Sequence, residues 1–168
     1  MSSRVELFQA GPENQRSLEN LIELYIHDFS EFVSVDVGED GRFGYPDLPL
    51  YWHEPRHVPF LAKVEGKLSG FALVTRGPGM WGDSEVWDMA EFFVLQRYRH
   101  RGVGAEMAEK VWYRCPGKWQ IRVRSNNLPA RSFWESAIAK FTRKPVSSQD
   151  FQIEEVEWNL FSFQCGDQ

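Results

Sequence analysis

Apolar and polar positions along the chain change period several times, and each change marks an element. Val5–Ala10 alternates and is closed by Gly11-Pro12, which predicts a short first strand. Leu18, Leu21, Ile22, Tyr25, Ile26, Phe29, Phe32 and Val33 then recur at helical spacing, predicting an amphipathic helix over 13–33. Residues 34–57 lose the period. They carry Asp36, Gly38, Glu39, Asp40, Gly41 and Gly44, then Tyr45, Pro46, Tyr51, Trp52, His53 and Pro55. So many aromatics predict an ordered loop with a short helix near 47–52, and long ordered loops often cover binding sites.

Beyond the loop, Pro59–Val64 and Leu68–Thr75 flank Glu65-Gly66-Lys67, a hairpin signal. Gly77-Pro78-Gly79 makes the next turn, and Ser84–Val94 reads as a longer strand. A helix is expected from Gly102 to Arg114 with Ala105, Ala108, Val111 and Trp112 as its buried stripe, stopped by Pro116-Gly117. Trp119–Arg124 reads as a strand, Pro129–Ala139 as a helix with proline at its start, and Glu155–Phe163 as a last strand. Residues 140–152 admit a further strand. The order is that of an α/β domain with a mixed sheet, expected as one domain over 1–168.

Composition narrows the class. Aromatic residues make up 15% of the chain and hydrophobic residues 42%, which excludes a disordered tail. A formal charge of −5 argues against broad nucleic-acid binding. Cys115 and Cys165 have no zinc or disulfide spacing, and His27, His53 and His57 are too scattered for a metal site. Cys115 is expected to pack rather than react, and Cys165 to lie in a tail. There is no apolar leader and no run of about 18 apolar residues, so a cytoplasmic protein without a membrane segment is expected.

Against that acidic background, residues 97–101 hold Arg97, Arg99, His100 and Arg101, between a strand ending at Val94 and a helix opening with Gly102 and Gly104. A helix start presents unsatisfied N–H groups and the positive end of the helix dipole, and so attracts anions. Glycine lets a ligand approach the main chain. The dinucleotide fingerprint would need a third glycine where Met107 stands, and no Gly-Lys-Ser/Thr triplet of a phosphate-binding P-loop occurs.

Arg99-x-x-Gly102-x-Gly104 after a strand resembles the pyrophosphate-binding motif of the GNAT superfamily of N-acetyltransferases. A second segment, Asn126-Asn127-Leu128-Pro129-Ala130-Arg131-Ser132-Phe133-Trp134, resembles that superfamily's Asn-x-x-Ala-x-x-Phe-Tyr motif. Ala-Glu-Phe-Phe-Val and Pro-Gly-Lys-Trp are similar to segments of a bacterial branch of the superfamily. The resemblance implies a mixed, mostly antiparallel sheet of about six or seven strands flanked by about four helices. It also implies acetyl-CoA as cofactor, held by Phe93, Val94, Leu95, Arg99, His100, Arg101, Gly102, Val103, Gly104, Asn127, Ala130, Phe133 and Trp134. Where the superfamily has a tyrosine, often the acid, this chain has Trp134, whose indole N–H cannot serve as that acid. No residue is assigned as the acid.

The implied reaction is direct acetyl transfer to an amine in a ternary complex, with backbone N–H near Val94 stabilising the carbonyl oxygen. A carboxylate or an ordered water must accept the amine's proton. Glu91 is the preferred base because it lies nearer the expected position of the thioester, and Asp88 is the second candidate. An ideal strand points these two to opposite faces, which a bulge would alter. Asp28, Glu31, Asp36, Glu39 and Asp40 add acidity to the first helix and its loop. Tyr25, Asp28, Tyr45 and Trp52 are candidate contacts for a small cationic amine, with Tyr51 beside them. A non-catalytic acyl-CoA-binding module and a protein N-terminal or lysine acetyltransferase remain alternatives. Dimers are common in this fold, so a homodimer is admitted.

Overall fold

The computed structural model describes residues 4–82 and 85–166. Seven strands form one sheet: β1 (Val5–Gln9), β2 (His57–Val64), β3 (Lys67–Pro78), β4 (Glu85–Val94), β5 (Gly117–Arg124), β6 (Ser148–Ile153) and β7 (Val156–Cys165). Their spatial order is β1-β2-β3-β4-β5-β7-β6. Four α-helices accompany them: α1 (Gln15–Phe29), α2 (Leu50–His53), α3 (Val103–Arg114) and α4 (Leu128–Thr142). All strand pairs are antiparallel except β4 with β5. The mixed sheet and the helix count agree with the expected fold class.

Each face of the sheet carries its own core. On one side Leu18, Leu21 and Ile22 of α1 and Tyr51 of α2 pack on Leu61, Phe71, Leu73 and Phe93. On the other, Met107, Val111 and Trp112 of α3 and Trp134 and Ile138 of α4 pack on Ala72, Val74, Met89 and Trp119. Alternation along β3 and β4 feeds both cores at once, as expected for central strands covered on both faces.

Several boundaries differ from the sequence expectation. The first helix stops at Phe29 rather than continuing to Val33, although Phe32 and Val33 keep the apolar spacing. The weakly patterned 140–152 region does contain a strand, β6, which pairs with β7 through the tight turn at Glu154. Cys165 is no tail residue: it is buried at the end of β7 and donates to Trp112 O at 3.2 Å. Ser84, expected as the first residue of β4, lies outside the described residues.

Two local features of the sheet shape the surroundings of β4. Leu73 pairs with Glu91 while Val74 pairs with Met89, so Ala90 is an extra residue and β4 bulges there. The parallel ladder between β4 and β5 holds only at Trp87–Trp119 and Asp88–Gln120. Beyond Asp88 the two strands part, leaving the β5 side of residues 89–94 without a strand partner.

Candidate active site

The gap between β4 and β5 is where the chemistry-bearing residues converge. Leu95 N–H is donated to Ser69 O at 2.9 Å, on the β3 side. Strand N–H directions alternate, so Phe93 N–H also turns to β3, while Val94 N–H turns into the gap. Val94 O faces the same way and accepts Arg99 Nε at 2.7 Å.

The bulge decides where the two acidic residues point. Asp88 pairs with Thr75 and Glu91 with Leu73, and Thr75 and Leu73 share one face of β3. Both carboxylates therefore face α1 and α2, whereas an unbulged strand would have separated them. Glu91 receives two phenol hydrogen bonds: Tyr25 Oη donates to Oε2 at 2.5 Å and Tyr45 Oη to Oε1 at 3.0 Å. Burial pushes the Glu91 carboxyl above its usual range, and these two donors pull it partly back. Burial and the Glu91 charge raise the Tyr25 and Tyr45 phenols, so both stay protonated as donors. Tyr51 is raised in the same way.

Asp88 differs from Glu91. Its Oδ2 accepts Arg122 Nη2 at 2.6 Å, while its buried Oδ1 has no partner among the described residues. Burial raises its carboxyl and Arg122 opposes that rise. Arg122 was not named from the sequence. Its signal was the β5 alternation, which puts Gln120 and Arg122 opposite Trp119, Ile121 and Val123. Trp52 packs against the α1/α2 core, its buried indole N–H without a partner among the described residues.

Asp28, expected to meet the acceptor, is instead joined to Arg99, expected to meet phosphate. Arg99 Nη2 donates to Asp28 Oδ2 at 2.5 Å, and Gln96 Nε2 reaches Asp28 Oδ1 at 3.4 Å. Arg99 thus braces the end of β4 against α1. Its guanidinium also lies 5.5 Å from the Phe93 ring centroid. The remaining basic side chains of the turn, Arg97, His100 and Arg101, are exposed.

Gly102 sits at the N-cap of α3 with φ +79°, a left-handed conformation that favours glycine. A Cβ there would meet only an Arg4 nitrogen, at 3.5 Å, so the space above it is open. The first helical hydrogen bond runs from Glu106 N to Gly102 O, so the N–H groups of Val103, Gly104 and Ala105 precede the ladder. Val103 buries its side chain in the core, so any ligand contact would come from its backbone. Gly104 works differently: a Cβ there would lie 3.1 Å from the Phe133 ring, so its absence lets α3 approach α4.

The opposite wall comes from α4. Asn127 caps this helix, its Oδ1 accepting Ala130 N–H at 3.1 Å. Phe133 stacks on Phe92 at 5.7 Å, and Trp134 meets Phe92 edge-on at 4.8 Å. Trp134 is only 6% exposed and belongs to the α3/α4 core. Asn126, adjacent to the cap, donates to Phe32 O at 3.0 Å and ties the turn after α1 to the far end of the gap.

A parting of parallel strands, open N–H groups at a glycine-capped helix start and an apolar wall form a cleft suited to an extended ligand that carries an anionic group. The sequence model of the Acetyltransferase (GNAT) family matches residues 18–138. The chain belongs to that family, and acetyl-CoA is its acyl donor. No curated protein matches the chain. Among solved structures it is similar to a GNAT acetyltransferase from Streptococcus pneumoniae, with 17% identity, 96% of this chain and 99% of that one covered and a TM-score of 0.64. It is also similar to the aminoglycoside N(6')acetyltransferase of Legionella pneumophila, at 11% identity, 98% and 94% coverage and TM-score 0.68. Arabidopsis thaliana NAA60 in complex with acetyl-CoA aligns at 14% identity, 95% and 98% coverage and TM-score 0.63. Among the described residues no helix is long and apolar enough to cross a membrane, and no cluster of metal-ligating side chains occurs.

The residues around the gap fit acetyl-CoA. The α3 start, with Gly102 open above and His100 and Arg101 exposed beside it, suits a pyrophosphate. The gap edge at Phe93–Leu95 and the wall of Asn127, Ala130 and Phe133 suit an extended arm between the strands.

Proposed function

We propose that the protein transfers an acetyl group from acetyl-CoA to the primary amine of a small, cationic acceptor lying on the α1/α2 face of the gap between β4 and β5. The observation that carries this proposal is the bulge at Ala90, which puts Asp88 and Glu91 on one face beside the unpaired edge of β4. Bound acetyl-CoA supplies an activated acyl carbon. The chain supplies the rest.

Val94 N–H is the donor aimed into the gap, where it favours negative charge on an acyl oxygen. Asp88 Oδ1 is buried without a donor, and a protonated amine supplies one. Glu91 accepts the amine's proton. Its raised pKa brings it closer to neutrality, where a base both exists as the anion and holds a proton well. Tyr25 and Tyr45 fix the orientation of that carboxylate, and their half-buried rings with Trp52 give aromatic surface suited to a cation. Arg99 and Asp28 support the site by holding β4 to α1 and take no part in proton transfer.

Thiol release from acetyl-CoA across a panel of di- and polyamines, aminoglycosides, amino acids and peptides tests the proposal. Turnover is expected with small cationic amines, and Glu91→Gln should lower kcat/KM by about 100-fold or more. Acetyl-CoA at 100 times its Kd should add about 2.7 kcal/mol of stability to both proteins. Stabilisation by acetyl-CoA with no thiol release for any amine would replace this proposal with a binding module. Turnover restricted to peptides would move the acceptor to a protein.

A further inference from the structure

The loop that delivers Tyr45 to Glu91 is anchored by a carboxylate that does not itself bond Glu91. Residues 38–49 and α1 line an open cleft of about 540 Å³, with Glu19, Glu23, Asp40, Arg42, Tyr45 and Leu48 among its walls. Leu48 and Tyr45 pack on the α1/α2 core, which holds the C-terminal end of the loop. Leu48 is buried, but Phe43 is only half-buried and Gly44 is exposed. What reaches across is Glu23. Its Oε2 accepts Phe43 N–H at 2.7 Å and its Oε1 accepts Gly44 N–H at 2.8 Å.

Two consecutive N–H groups turn to one carboxylate, and Gly44, at φ +74°, then redirects the chain toward Tyr45. Arg42 Nε lies 3.7 Å from the same carboxylate and balances its charge. The next residue is Tyr45, whose hydroxyl donates to Glu91 Oε1. Hydrogen bonds to an ionised acceptor are the strong ones, and here two of them fix the backbone one residue before the phenol.

We propose that Glu23 is a positioning residue: by clamping Phe43 and Gly44 it fixes the phenol of Tyr45 on Glu91. The carboxylate being positioned is the one assigned as the base under the proposed function, so the proposal rests on that assignment. Its test does not require turnover. Glu91 is faced by Tyr25 from α1, Tyr45 from the loop, Tyr51 from α2, Asp88 from β4 and Arg122 from β5. Of these only Tyr45 is carried by the segment Glu23 holds.

The experiment is a double-mutant cycle read by carbon NMR titration of the Glu91 carboxyl, assigned by its loss in Glu91→Gln. In the wild-type background Tyr45→Phe should raise the Glu91 pKa by about one unit, because one donor to the carboxylate is lost. In the Glu23→Ala background that shift should vanish, since Tyr45 is no longer held in place. Glu23→Gln keeps one acceptor oxygen and should restore part of the shift. Hydrogen exchange at Phe43 and Gly44 should speed up in Glu23→Ala, and a melting curve verifies that the variant is folded. An equal Tyr45→Phe shift in both backgrounds would overturn the proposal. If the cycle couples as expected while no amine is acetylated, the positioning role stands and the catalytic assignment fails.

Discussion

Removing a single hydroxyl from Tyr25 tests the electrostatics of the site most directly. Tyr25→Phe keeps the ring, which lies 5.7 Å from Phe71 and 5.8 Å from both Phe29 and Phe93, so packing should survive. What goes is the 2.5 Å donor to Glu91 Oε2. A hydrogen bond to a charged group is worth about 1.5–3 kcal/mol, and one pKa unit corresponds to about 1.4 kcal/mol. The Glu91 pKa should therefore rise by about one to two units above its already raised value. The assay is kcat/KM against pH, by thiol release, for wild type and variant with the same amine. Titration of the amine is common to both enzymes, so the displacement of the acid limb belongs to Glu91. On that limb the variant should be about 10- to 100-fold slower, with the difference narrowing as pH rises. A variant of lower melting temperature whose acid limb stays in place would refute the reasoning, because Tyr25 would then be stabilising the fold and not the carboxylate.

Stability should also carry the signature of the buried carboxylates. Folding raises the Asp88 and Glu91 pKa values, so across the window above the ordinary values of 3.8 and 4.5 the folded chain binds more protons than the unfolded one. Stability from this source is greatest below that window and falls as pH rises through the raised values. Asp88→Asn with Glu91→Gln should flatten that part of the urea-stability profile, and an unchanged slope would count against the burial. Gly104→Ala should cost about 1–3 kcal/mol by driving a methyl against Phe133, and Phe133→Leu in the same chain should recover part of it, as read by thermal melting. Trp134→Tyr, which installs the residue usual in the family, should lose about 1–3 kcal/mol by opening space among Phe92, Trp112 and Phe133 without raising kcat. A gain in kcat would mean that the phenol reaches the departing thiol.

The differences between what could be read along the chain and what required coordinates have physical causes. The glycine-bearing helix start after β4 and the proline-marked start of the helix at 129 were legible because they are local: each depends on residues a few positions apart. Glu91, Asp88, Tyr25 and Tyr45 could be named as candidates from their residue types. That both Tyr25 and Tyr45 donate to Glu91 could not, since those contacts span 66 and 46 residues. The pairing of Asp28 with Arg99 spans 71 residues and gives both side chains a bracing role that neither local pattern announces. Cys165 was misplaced because its strand continues past the alternating stretch and is held by pairing with β5.

Periodicity, a basic turn inside an acidic chain and two short motifs were enough to settle the family, the order of the elements and the helix start suited to a phosphate. Those features arise from backbone geometry and side-chain spacing within single elements. The active face was decided elsewhere. Pairing of β4 with β3 forced the bulge at Ala90, turned Asp88 to the same face as Glu91, and the parting of β5 opened the edge beside them. Register and separation between strands belong to the assembled sheet, and a single strand's sequence carries neither.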